Sequence, residues 1–362
     1  MGLGELPPAA RLPLLLMGMV ALAVGVLAGL ARLGLAVPAL AGAQAGSHGA
    51  LMVAAFFGTV IGLERAVALR RPWPYLAPLA AGLGGIALLA GAPGGLAPAA
   101  FGLAGAVFVA ASVAVYRRLP RIFTFCLLAG AAAWLAGNLV WLAGGAIPAA
   151  VPFWMAFLVL TIAGERLELT RFLPPRRFAT PLFGGLLAAV AGACLLHPLA
   201  PETGSRTLAA ACLGLAAWLV RYDIARHGIK QQGLTRFTAA CLLSGYVWLA
   251  AGAALGIAGA FEPGHPWRDA ALHAIFVGFV FSMVIGHAPI IFPAVMRVRI
   301  PYHPAFYLPL ALLHLSLFVR VAGLLAGSPG WQGRGAALNA AALLVFVLTL
   351  LGSVVRGRGA AR

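Results

Sequence analysis

The histidines His48, His273, His287 and His314 lie at the mouth of or inside long apolar stretches. Ionisable groups are expensive in such surroundings and are functional candidates by default. A haem needs one or two imidazoles projecting from neighbouring helices at matching depth. His48 opens one apolar stretch, and His273 lies near the start of another that runs in the same direction. Together they are candidates to clamp a low-spin haem iron from both sides. Locally, His48 after Ser47 also reads as a capped helix start, and His273, four residues after Asp269, as a helical ion pair or an imidazole oriented by a carboxylate. His287 follows His273 by about 21 Å of ideal helix, within about 40° of the same face. With His314 it is the candidate for a second haem or a copper ion, or it bonds a carbonyl opened by Pro289 and Pro293.

Other ionisable groups complete the set. Arg320 lies within an apolar stretch and, with Arg32 and Arg334, is a candidate partner for haem propionates. Glu64 and Glu165 are each followed by arginine, so they are proton-entry groups or members of local ion pairs. On an ideal helix Glu64 is about 160° around from His48 and does not face the proposed haem.

The elements that must position these residues follow from composition. Of 362 residues, 62% are hydrophobic and 9% charged, and mean hydropathy is +0.99. Soluble domains are about 45–50% apolar and about 25% charged, so the solvent of this chain is lipid. With six Tyr and little alternating pattern, an outer-membrane barrel is excluded. Apolar windows of spanning length fall at 12–34, 48–69, 75–93, 96–116, 121–143, 147–168, 181–199, 205–226, 236–260, 270–295, 304–326 and 335–355. The expected fold is all-α, with twelve transmembrane helices in one domain over 1–362 and the first helix retained. Breaks such as Gly94-Gly95, Pro120 and Pro174-Pro175 separate them.

The net charge of +17 comes from 24 Arg and Lys230, clustered between the apolar runs. This distribution indicates topology and gives no support to a nucleic-acid partner. With both termini cytoplasmic, 20 of the 25 basic residues, from Arg11 to Arg362, fall inside, and Arg32, Arg206, Arg268, Arg320 and Arg334 lie outside or in the outer half. The positive-inside rule therefore predicts an inner-membrane protein with cytoplasmic ends. Thr59–Arg65, Thr161–Arg166 and Ser282–His287 are related Gly-centred runs in the second, sixth and tenth windows. They suggest three pseudo-repeated four-helix groups, about 1–118, 119–230 and 231–362. Cys126, Cys194, Cys212 and Cys241 lie in apolar stretches and read as free thiols.

The string His48-Gly49-Ala50-Leu51-Met52-Val53-Ala54-Ala55-Phe56-Phe57 resembles the second helix of the haem–copper oxidase core subunit. The run from His273-Ala274-Ile275-Phe276 to Phe292-Pro293 resembles its tenth. In that superfamily these helices supply the two axial ligands of a low-spin haem, and the subunit has twelve spans in three groups of four. More specifically, the chain resembles the NnrS family, haem- and copper-containing membrane proteins of nitric oxide stress. The resemblance implies haem b, nitric oxide or nitrosative-stress handling, and electron transfer from quinol or another respiratory donor. Departures limit the implied chemistry. The sixth window has no histidine, the seventh has only His197, and position 271 is Ala. The oxygen-reducing binuclear centre is therefore absent, and an oxidoreductase role, if any, differs from that of a terminal oxidase.

Nucleotide, zinc-protease and c-type haem motifs are missing. Trp267 and Trp331 fit an interfacial belt, and His265 a solvated loop. Two other functions fit the same sequence. One is a proton-coupled secondary transporter using His287, Glu64 and Arg320, favoured by spans and Gly/Pro interruptions such as 286–293. The other is an assembly factor for a respiratory complex.

Overall fold

A computed structural model describes residues 5–174 and 176–359. Pro175 and Arg362, used above for a turn and for topology, lie outside the described residues. Their regular secondary structure is all helix, with no strand among the described residues. The long elements are α1 (Pro8–Ala31), α2 (Ala45–Leu69), α4 (Leu96–Arg118), α5 (Ile122–Leu142), α6 (Ile147–Thr170), α7 (Ala179–Leu196), α8 (Pro201–Tyr222), α9 (Gly233–Ala260), α10 (Arg268–Met296), α11 (Pro304–Leu325) and α12 (Pro329–Gly357). These eleven are long and apolar enough to cross a membrane, and α3 (Trp73–Leu89) is a shorter apolar helix. Each window read from hydropathy coincides with one of these helices. Large apolar side chains such as Leu103, Leu195, Phe318 and Val355 face outward. A water-soluble protein would bury such residues, whereas lipid solvates them. The protein is an all-helical, multi-pass membrane protein.

The helix boundaries follow local chemistry. Proline occupies the first position of α1, α8 and α11, where its missing N–H costs no hydrogen bond. Gly91 and Gly144 adopt φ of 63° and 92° just beyond α3 and α5, a conformation that side chains disfavour. The two histidine-bearing helices end differently. Arg70 and Arg297, with φ of 51° and 53°, take the left-handed position after α2 and α10.

The chain divides into two compact units. One contains the residues up to Phe157 together with Val295–Arg297, and the other Leu158–Ala294 together with the residues from Val298 onward. In the first unit, small residues let helices approach closely, as expected where lipid provides no hydrophobic drive between them. A Cβ on Gly58 would sit 2.3 Å from the Trp134 ring, and one on Gly84 2.7 Å from Phe101. Asn138 adds polar linkage, donating to the Phe101 carbonyl (3.0 Å) and accepting from the Trp154 indole (2.9 Å). Arg11 is fully buried and donates to the carbonyls of Leu6 and Val295 and to Glu5. Ahead of α1, that contact holds the Glu5 carboxyl below its usual range.

In the second unit the α11–α12 pair is close enough that a Cβ on Gly335 would lie 2.3 Å from the Arg320 backbone nitrogen. This backbone-to-backbone approach fixes where the Arg320 side chain leaves its helix.

Candidate functional site

His48 begins the helical run of α2, but its ring does not cap that helix. Its Nδ1 lies 2.7 Å from the carbonyl oxygen of Gly25 on α1. A carbonyl only accepts, so Nδ1 carries the proton and Nε2 the lone pair. The approach depends on Gly29, where an added Cβ would meet His48 Cε1 at 2.8 Å and Nδ1 at 2.9 Å. We expect Gly29→Val to push the imidazole off the Gly25 carbonyl at a cost of about 1–3 kcal/mol, as for other overpacked sites. Thermal unfolding in detergent measures this. Gly192→Ala is the control, because nothing lies within 4 Å of that position. Equal melting temperatures for the two variants would remove the packing role of Gly29.

His273 is prepared in the same way by a different element. Its Nδ1 lies 2.8 Å from the Asp269 carbonyl, one turn earlier on α10, and 3.2 Å from the Asp269 carboxylate. The expected orienting carboxylate is therefore present, and Nδ1 is again the donor. Asp269 accepts from Arg320 Nε and Nη2, at 2.9 and 2.7 Å, and from Gln332 at 3.4 Å. Arg320, expected to face a propionate, thus directs two of its five donors at Asp269. Arg32 and Arg334 are exposed.

A feature invisible in the sequence accompanies both histidines. Residues Leu51–Phe57 of α2 and Ala274–Phe281 of α10 form wide π-helical turns, starting three residues and one residue after their histidines. Such turns are rare and concentrate at functional sites. Each accommodates an extra residue and rotates everything beyond it by about 100°. The ideal-helix spacing of His273 and His287 does not survive this, since the offset grows from about 40° to about 140°. Conversely, Glu64 swings to about 60° from the His48 face. Glu64 and Glu165 are both half-buried, and the Arg65 guanidinium lies over the Phe108 ring at 5.9 Å.

His287 and His314 belong to two separate networks. His287 Nδ1 bonds the Met283 carbonyl at 2.8 Å, and its Nε2 lies 3.3 Å from Arg166 Nη1. Arginine only donates, so Nε2 accepts. The carbonyl it bonds is not one of those left open by Pro289 and Pro293, which are the oxygens four residues before each proline. His314 Nδ1 accepts from the Trp248 indole at 2.9 Å, and its Nε2 then donates to Ser244 Oγ at 2.8 Å. Both rings direct both nitrogens at protein groups. Among the described residues no three His, Cys, Asp or Glu side chains group as metal ligands.

Sequence reasoning missed Asp223. It follows α8, is fully buried, and accepts from Arg166 Nε at 2.7 Å and Nη2 at 3.2 Å. It also accepts from Tyr246 Oη at 3.0 Å and from the Ala225 amide at 2.6 Å. The clue available was a single acid amid Arg221, Arg226 and Lys230. Arg166, read as an inner-side charge at the end of the sixth window, is 4% exposed and is its partner.

No curated protein matches the chain. A family model described as a domain of unknown function, DUF8744, matches residues 11–355, nearly the whole length, and the protein belongs to that family.

Proposed function

We propose that the protein binds b-type haem, with His48 and His273 as the iron ligands, and serves nitric oxide or nitrosative-stress handling or the electron transfer associated with it. The observation that carries this reading is the matched preparation of two histidines on different helices. Each has Nδ1 on a backbone carbonyl and a wide turn directly behind it. An imidazole whose Nδ1–H is held in this way directs Nε2 outward, the orientation that suits an iron ligand. The haem supplies one-electron chemistry. The chain's own contribution is to orient the two rings, that of His273 through Asp269. The twelve-helix, oxidase-like grouping, the cytoplasmic termini, the bacterial-type inner membrane and a quinol or similar donor belong to the same proposal. The NnrS resemblance bears on the process.

The test is the purified protein in detergent after haem-replete expression, with oxidised and dithionite-reduced visible spectra and a pyridine haemochrome. Stoichiometric b haem is the expected result, and a colourless protein overturns the reading. Asp269→Asn removes the charge behind His273 and the anchor of Arg320. It is expected to weaken haem retention about 10–100-fold, read by haem titration of the stripped protein. Unchanged affinity would leave Asp269 outside the site.

A second reading, a proton-coupled carrier, is favoured by one observation. The buried Arg166–Asp223–Tyr246–His287 network is the kind of ionisable group that transporters hold within the bilayer. A colourless protein would move the assignment there.

A further inference from the structure

The second unit contains a cleft of about 490 Å³ lined by Ile229, Gln232, Gly233, Arg236, Ala240, Tyr302, Pro304 and Tyr307. It lies where α9 and α11 begin, beside the loop that joins α8 to α9. The polar groups converging there are a guanidinium, two phenols and a primary amide. Ile229, Ala240 and Pro304 supply apolar wall.

The aromatic part is rigidly built. Phe237 is fully buried next to Arg236, and its ring centre lies 6.1 Å from Tyr302, 5.7 Å from Phe306 and 5.1 Å from Tyr307. Packing on one buried ring fixes both tyrosines at little further entropy cost. Burial pushes the Tyr302 hydroxyl up from its ordinary value, so it is a protonated donor at neutral pH.

Charge selects the ligand. Arg226, His227, Lys230 and Arg236 precede or open α9, and Arg299 and His303 precede α11. The nearest acid in sequence, Asp223, is buried against Arg166 and Tyr246. Beyond it the chain has only Glu262 and Asp269. Both follow the other end of α9, whose 28 residues extend about 42 Å. Arg236 is the charged group among the lining residues and none of them is a carboxylate, so the cleft is cationic and rich in donors. The first-turn amides of α9 add partial positive charge. A tetrahedral anion with several acceptor oxygens fits this donor set. A basic pocket where spanning helices end is also where phosphate-bearing headgroups lie.

We propose that this cleft binds a phosphate group, carried by an anionic phospholipid headgroup or free, with Arg236 as its main ligand and Tyr302 and Tyr307 as hydrogen-bond donors. The site is independent of the haem reading and holds whether or not the protein is coloured.

The test titrates the detergent-purified full chain with dioctanoyl phosphatidylglycerol, with dioctanoylglycerol lacking the phosphate, and with inorganic phosphate, following thermal stability and intrinsic fluorescence. Saturable binding of the phospholipid is expected, weakened about tenfold or more by Arg236→Gln and about fivefold by Tyr302→Phe, as for lost charged and neutral hydrogen bonds. Arg236 is exposed, so its replacement leaves the fold intact. Phospholipid binding without inorganic phosphate binding assigns the site to a headgroup. Inorganic phosphate binding that is equally sensitive to Arg236→Gln assigns it to the free anion. Equal binding of dioctanoylglycerol, or phospholipid binding unchanged in both variants, overturns the proposal.

Discussion

Alanine at either His48 or His273 is expected to abolish stoichiometric haem or convert it from a low-spin to a high-spin spectrum. A bis-histidine iron has no open coordination position, so removal of one imidazole leaves a single protein ligand and a vacant face. The two substitutions should be equivalent although their supports differ. His48 is held by the Gly25 carbonyl from another helix, whereas His273 is held from its own helix by Asp269. The measurement compares visible spectra and haem content per chain for each variant. His314→Ala serves as a control in the same apolar setting, since its ring bonds Trp248 and Ser244. A low-spin spectrum at full haem content in either histidine variant would remove that residue as a ligand. Under the proposed ligation, nitric oxide would have to displace a histidine before meeting the iron.

The second large effect belongs to Asp223. Its carboxylate accepts from Arg166, Tyr246 and the Ala225 amide in a site closed to solvent. Removing one partner of a buried pair leaves the other charged and unpaired, at a cost of about 3–5 kcal/mol. Asp223→Ala is therefore expected to lower stability by that amount, leaving Arg166 with His287 as its remaining partner in the network. Replacing both members, as Arg166→Met with Asp223→Leu, removes the desolvation penalty with the attraction. It should recover most of the loss, because buried pairs are often no more stabilising than apolar residues of similar volume. Denaturant titration in mixed micelles of the two single variants and the double variant measures the coupling. A single-variant loss below about 1 kcal/mol, the level of an exposed pair, would show that water reaches the network.

Stability and ligand binding are separable in these designs. Gly29 and Asp269 act through the orientation of a histidine, so their substitutions should affect haem retention as well as unfolding. Asp223 and Arg166 should affect unfolding more than haem retention under the haem reading. Under the carrier reading Asp223 would matter for transport as well.

The helices were legible in the sequence because a bilayer core demands about twenty apolar residues in a row. That constraint acts on composition along the chain and needs no knowledge of neighbours, so each window coincides with a helix. It also made the intramembrane histidines and Arg320 conspicuous, since lipid tolerates few such groups. The pairing of Asp269 with His273 was readable because both lie on one helix four residues apart.

Contacts set by helix packing were not readable in this way. The Gly25 carbonyl behind His48, the fork of Arg320 on Asp269 and the burial of Arg166 against Asp223 each join residues from different elements. Glycine lets two backbones meet, but a sequence with 46 glycines does not say which of them do. Nor does periodicity reveal a π turn, which changes the phase of a helix without changing its composition. His287 therefore faces away from the direction that ideal geometry gave it, and Glu64 returns toward His48. The sequence by itself determined the solvent, the helices and the residue types available for chemistry, because those depend on transfer from water to lipid one segment at a time. Tertiary structure alone decided which donor meets which acceptor, because that depends on close approach between segments distant along the chain.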